Sequence, residues 1–118
     1  MKEIDYVESV QESVEEEFKS FKQRELKKTK EEIFSDYYEI HFYDEVSNFL
    51  MGVDDAVLDE IHWKCLNKDK GNILKLMYDY YLKSEFASIN NSEDLMDLVV
   101  DYNRKYHHNI LYKEAEAE

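Results

Sequence analysis

Proline is absent and glycine occurs only twice, at Gly52 and Gly71. Without them the chain lacks most of the turn chemistry that tight hairpins require, which excludes an all-β architecture. A single cysteine, Cys65, excludes an intramolecular disulfide. The opening Met1-Lys2-Glu3-Ile4-Asp5 has no basic segment followed by an apolar run, so no secretory leader is expected and the expected location is the cytoplasm. Bases are also scarce: 15 Lys and Arg face 28 Asp and Glu, a formal charge of −13. That excess opposes direct binding to phosphate backbones and to anionic lipid, so neither nucleic acid nor membrane is an expected partner.

What is present suffices for a folded core. The chain has 118 residues, of which 43% are hydrophobic, and Leu, Ile, Val and Phe alone make up about a quarter. This length fits one domain. Ile4, Val7, Val10, Val14, Phe18 and Phe21 recur at spacings of three and four, one stripe of a helix. Residues 1 to 17 carry a net −6 and residues 18 to 30 a net +5, which complements the macrodipole of one long N-terminal helix over about residues 1–29. Its narrow stripe suits either packing on the body or pairing with a second copy.

Thr29 followed by Glu32 matches a capping box. It predicts a second helix running to about Met51, with Gly52 as a left-handed terminator. On a helical projection Ile33, Phe34, Tyr37, Ile40 and His41 form one apolar face, and Tyr38, Phe42, Val46 and Phe49 an adjacent one. Glu32, Asp36, Glu39 and Tyr43 are left as an exposed strip. Asp54 is the expected cap of a third helix carrying Val57, Leu58, Ile61, Cys65 and Leu66 inward, and Asn72 of a fourth carrying Ile73, Leu74, Met77, Tyr80 and Tyr81. Asn91 or Ser92 opens a fifth with Leu95, Leu98, Val99, Tyr102 and Tyr106 inward. The expected fold is all-α, a compact bundle of about five helices comprising the N-terminal helix, a body over residues 30–112 and a frayed acidic tail over 113–118.

Chemistry-bearing patterns are weak. Asp59, His62 and Cys65 are three apart, but no fourth ligand lies at a zinc spacing and Cys65 falls on an apolar stripe, so a buried thiol is expected rather than a metal site. Asn67, Asp69 and Gly71 begin like a calcium loop, yet the glycine comes one position early and Tyr78 stands where a Glu is required. His107 and His108 fit a capping or surface role at a helix end. No phosphate-binding glycine loop, nucleophile elbow or nucleophile–base pair is recognisable. The expectation is a non-enzyme with no cofactor.

The informative feature is where the acids lie. Residues 31 to 66 hold Glu31, Glu32, Asp36, Glu39, Asp44, Glu45, Asp54, Asp55, Asp59 and Glu60 against Lys64 alone, a local charge of −9. Stacking one sign costs folding energy that mixed signs would not. Carboxylates three or four apart on a helix are spaced on the order of successive phosphates, about 5–6 Å at Cβ. Such a face can imitate a nucleic-acid backbone, and Tyr43 would supply an aromatic anchor. The expected partner-binding set is therefore Glu32, Asp36, Glu39, Tyr43, Asp44, Glu45, Asp54, Asp55, Asp59 and Glu60, and the expected partner is a basic protein whose groove normally holds DNA or RNA, such as a nuclease.

The run Lys30-Glu31-Glu32-Ile33-Phe34-Ser35-Asp36-Tyr37-Tyr38-Glu39-Ile40, continued by His41-Phe42-Tyr43-Asp44-Glu45-Val46, resembles the central helix of small acidic helical domains of unknown function from phages and integrative elements. Asn72 to Asp79 is a second stretch of likeness. That genetic setting includes anti-CRISPR proteins, some of them similar to DNA in charge layout, and the resemblance implies an inhibitor of a CRISPR nuclease or its RNA-guided complex. Two other classes fit the same residues: an immunity or antitoxin protein that neutralises a nuclease toxin, and a dimerising structural protein that uses its first helix as the interface.

Overall fold

A computed structural model describes residues 5–53, 58–84 and 91–117, with side chains described as far as Tyr112. Among these residues the chain forms seven α-helices and no strand. They are α1 (Tyr6–Glu25), α2 (Lys30–Ser35), α3 (Tyr37–Gly52), α4 (Glu60–Asn67), α5 (Ile73–Lys83), α6 (Ser92–Tyr106) and α7 (His108–Ala117).

Asp5 caps α1, its side chain accepting from the Glu8 N–H at 3.1 Å. Val10, Val14 and Phe21 of the expected stripe are buried, and Val7 and Phe18 pack against the core more loosely. Ile4 lies outside the described residues. The stripe is covered within the chain, because α1 lies across α3, α4 and α5.

The capping box forms as expected. The Thr29 hydroxyl accepts from the Glu32 N–H at 3.2 Å, and the Glu32 carboxylate accepts from the Thr29 N–H at 3.1 Å. The helix it starts differs from expectation in two ways. It is interrupted at Asp36, where the chain tightens so that the Asp36 N–H faces both the Glu32 and Ile33 carbonyls. Gly52 is not a left-handed terminator but the last helical residue, and the chain leaves α3 through extended Val53. The glycine with positive φ is Gly71, at 97°, whose N–H donates to the Ser13 hydroxyl at 2.7 Å. Its backbone turn joins α4 to α5 in a conformation side-chain-bearing residues avoid.

The third expected helix is α4, which begins at Glu60; Asp54 and Val57 lie outside the described residues. Trp63, absent from the expected inward set, is fully buried with its indole N–H donating to the Leu58 carbonyl at 3.1 Å. Asn72 precedes α5 without capping it. Asn91 does cap α6, accepting from the Asp94 N–H at 3.0 Å. Beyond α6 the acidic tail, where the sequence predicts fraying, continues as helical backbone through Ala117.

One core connects these helices. Leu50, Trp63, Leu66, Leu74, Met77, Leu98 and Tyr102 are fully buried within it. Aromatic rings form its edge: Phe21 and Tyr43 lie 4.5 Å apart between centroids, and Phe42 contacts Tyr78 at 5.1 Å and Tyr81 at 5.2 Å. No helix among the described residues is long and apolar enough to cross a membrane.

Candidate functional site: an acidic, aromatic face on α2 and α3

The six residues of α2 bury nothing. The helix packs on α3, and is held by its capping box and by Lys28 Nζ, which reaches Asp36 Oδ2 at 2.6 Å. Phe34 stands 82% exposed and Tyr38 78%, with Leu26 and Tyr37 also in solvent. Phe34, Tyr37 and Tyr38 come from the apolar faces the projection assigns to the interior, and their exposure overturns that assignment for these three rings. The cause is competition along α3. Phe42, Tyr43, Val46, Phe49 and Leu50 together offer the core a wider apolar surface than Tyr37 and His41, so the helix turns the latter outward.

The rotation changes where the expected partner-binding residues lie. Tyr43, expected in the exposed strip, is 2% exposed and packed on Phe21. Burial pushes its hydroxyl pKa well up, with the Glu39 carboxylate acting in the same sense. Glu39 is half-buried and 3.8 Å from Lys75 Nζ. Asp36 is half-buried, and the Lys28 ammonium holds its carboxyl below the ordinary range. Glu32 is exposed but committed to the capping box, which lowers its pKa through the Thr29 N–H. Asp44 is exposed on the outward face of α3, and Glu45 beside it is half-exposed, 3.7 Å from His41 Nε2. Glu31, outside the expected set, is exposed on α2. The outward face of this region therefore combines Glu31, Glu32, Asp44 and Glu45 with Phe34, Tyr37 and Tyr38. Tyr37 stacks nearly parallel on His41 with centroids 6.0 Å apart, and meets Tyr38 edge-on at 5.6 Å.

The remaining four expected acids are not part of this face as described. Asp54 and Asp55 lie outside the described residues. Asp59 and Glu60 are exposed at the start of α4, a helix that packs on α1, α6 and α7.

A groove of about 850 Å³ runs between α1, the start of α3 and the start of α5, with Phe21, Glu25, Glu39, Tyr43 and Lys75 among its walls. At one end the Glu17 carboxylate accepts from the Leu74 N–H at 2.8 Å and the Lys75 N–H at 2.9 Å, capping α5 from across the fold. Burial raises the Glu17 pKa, while those two N–H groups pull it back down. At the other end Lys28 Nζ bridges Glu25 Oε1 at 2.7 Å and Asp36 Oδ2 at 2.6 Å.

The residues that resemble metal or catalytic ligands are engaged elsewhere. The Cys65 thiol is buried, and desolvation raises its pKa to about 11, which keeps it protonated and unreactive. His62 Nδ1 lies 3.0 Å from the buried Asn103 amide nitrogen. Asp69 Oδ2 accepts from the Tyr102 hydroxyl at 2.6 Å and lies 2.7 Å from His107 Nε2. His107, expected on the surface or as a cap, is the C-cap residue of α6, its N–H donating to the Asn103 carbonyl at 2.7 Å, while its ring is mostly buried in this pairing. Among the described residues no group of three or more His, Cys, Asp and Glu is arranged to hold a metal ion.

No protein-family model matches the chain, and comparison with curated proteins and with solved structures gives no match.

Proposed function

We propose that the chain is a small acidic binding protein that docks its α2–α3 face on a basic protein that handles nucleic acid, and inhibits it. The target class favoured by the sequence resemblance is a CRISPR nuclease or its RNA-guided complex. The observation that carries this reading is α2 itself, a helix that contributes no buried residue yet presents Phe34 and, with the start of α3, Tyr37 and Tyr38 beside exposed carboxylates. Those rings stand mostly in solvent. Exposed aromatic groups ringed by charge are the composition of an interface centre and its rim.

The acids and the rings have different tasks. Glu31, Glu32, Asp44 and Glu45 attract a basic surface over about a Debye length, which speeds encounter and makes association sensitive to salt. Phe34 and Tyr38 then supply the desolvated contact that slows release. Asp36 and Glu39, the middle of the expected phosphate-like ladder, are engaged with Lys28 and Lys75, which favours occlusion of the target's groove over imitation of a regular phosphate row. An immunity protein would use the same face against a nuclease toxin, and the identity of the inhibited nuclease separates the two.

The test replaces Asp44 and Glu45 by Lys and measures inhibition of purified RNA-guided nucleases and nuclease toxins. The wild-type chain is expected to inhibit a basic nuclease, with potency falling at least about ten-fold in the variant at unchanged helical content. Equal potency of wild type and variant would contradict the acidic face.

A further inference from the structure

The aromatic face on α2 and α3 has charge of both signs at its borders, and the two signs are separated. Lys28 bonds Asp36, the residue from which α3 starts, at 2.6 Å, so the α1–α2 turn is held at the N-terminal end of α3. That turn presents Lys27 and Lys30, both exposed and neither engaged by a carboxylate of the described residues. The acids lie the other way. Asp44 and Glu45 follow Tyr37 by seven and eight residues, about 10–12 Å along the helix. At 3.6 residues per turn Tyr37, His41 and Asp44 fall within about 60° of one another, and all three are exposed while Phe42, Tyr43 and Val46 turn inward. One outward face thus reads bases, then rings, then acids.

The apolar part of this face is large. Leu26 stands in the same turn as Lys27, and with Phe34, Tyr37 and Tyr38 it is mostly exposed. Side chains of this size present on the order of 500 Å² to solvent, the upper range of what a monomer leaves uncovered and over half of the roughly 800 Å² that one partner of a standard interface buries. A surface of one sign satisfies only one end of the face. A second copy satisfies both, because a two-fold axis near the stacked Tyr37 and His41 rings brings the basic end of each chain to the acidic end of the other.

We propose that the chain forms a two-fold homodimer through this face, with α3 antiparallel to its counterpart, Phe34, Tyr37 and Tyr38 packed between the copies, and Lys27 and Lys30 of each paired with Asp44 and Glu45 of the other. The dimer needs no target. It covers the rings that the proposed target would use, so the two compete, and the monomer is the form that inhibits.

The test is sedimentation equilibrium of the full chain alone, from about 10 μM to about 1 mM, the range in which a small interface associates. A reversible rise from the chain mass of 14.3 kDa toward twice that value is expected. Phe34→Ser, Tyr38→Ser should weaken dimerisation at least about ten-fold at unchanged helical content. Two further variants test the charge pairing: Lys27→Glu, Lys30→Glu, which places Glu at the start of α2 where a helix favours it, and Asp44→Lys, Glu45→Lys. Each alone meets itself with one sign at both ends and should dimerise at least about ten-fold more weakly than wild type. Mixed in equal amounts, they should form a heterodimer at least as tight as the wild-type dimer. Asp59→Lys, Glu60→Lys alters the net charge equally from exposed positions on α4 and should not restore pairing when mixed with the Lys27→Glu, Lys30→Glu chain. A wild type that stays monomeric to about 1 mM, a dimer indifferent to the ring exchange, or mixing that fails to restore pairing would overturn the proposal. Inhibition of a nuclease is measured separately, so a chain that dimerises but inhibits nothing contradicts the target alone, and a monomer that inhibits contradicts the dimer alone.

Discussion

The carboxylate of Glu17 does for α5 what Asp5, Thr29 and Asn91 do for their own helices, except that it arrives from α1. Its hydrogen bonds to the Leu74 and Lys75 N–H groups satisfy donors that Asn72 leaves idle. Glu17→Ala is therefore expected to lower stability by about 1–2 kcal/mol, measured by urea unfolding, although no local pattern marks the residue as a cap. His62 makes a different prediction. Burial holds its pKa below the ordinary 6.5, with Arg104 acting in the same sense and Asp59 opposing it. The folded chain resists a proton that the unfolded chain accepts, so this contribution to stability is present above about pH 6.5 and is lost as pH falls below it. The wild type should lose more stability between pH 7.5 and 5.5 than His62→Gln, and equal slopes would remove His62 from that role. Sequence spacing identified the caps at Thr29 and Asn91, because those bonds are made within three residues. It could not show Glu17 or the Asp69–His107 pairing, whose partners are 57 and 38 residues apart.

At the scale of the element, α2 and α3 show what periodicity leaves open. Tyr37, Tyr38 and Phe34 are as apolar as many core residues, and α3 is apolar over much of its circumference, so spacing alone allowed either of two faces to turn inward. Packing decides, and it selects Phe42, Tyr43, Val46, Phe49 and Leu50. The expected anchor Tyr43 thereby became core, and the exposed rings became the better interface candidates. Helix type was legible from α1 to α6, as was most of the inward set on α1, α5 and α6, whereas α7 lies where no helix was expected. The break at Asp36 was not, because no proline or glycine marks it. Replacing Phe34 and Tyr38 by Ser should change stability by no more than about 0.5 kcal/mol each, as for surface positions. The same exchange should weaken partner binding by more than the charge changes do, since aromatic anchors carry most of an interface's binding energy. A large loss of thermal stability would instead place those rings in the core.

The whole molecule is a flattened body of 52 × 36 × 22 Å carrying a formal charge of −13. That field is screened over about 8 Å in physiological salt, so an association that depends on it weakens as salt rises. The first helix, a candidate dimer interface from its stripe, packs against α3, α4 and α5 with Val10, Val14 and Phe21 buried. The most direct test of an acidic inhibitor of a basic nucleic-acid-handling protein is affinity capture by the tagged chain from host lysate, at low and about three-fold higher ionic strength, with the bound proteins identified by mass spectrometry. A basic nuclease or its RNA-guided complex should be captured at low salt by the wild type, lost as salt rises, and absent with Phe34→Ser, Tyr38→Ser. Capture of only its own copies, or of a partner indifferent to both salt and the two substitutions, would contradict it.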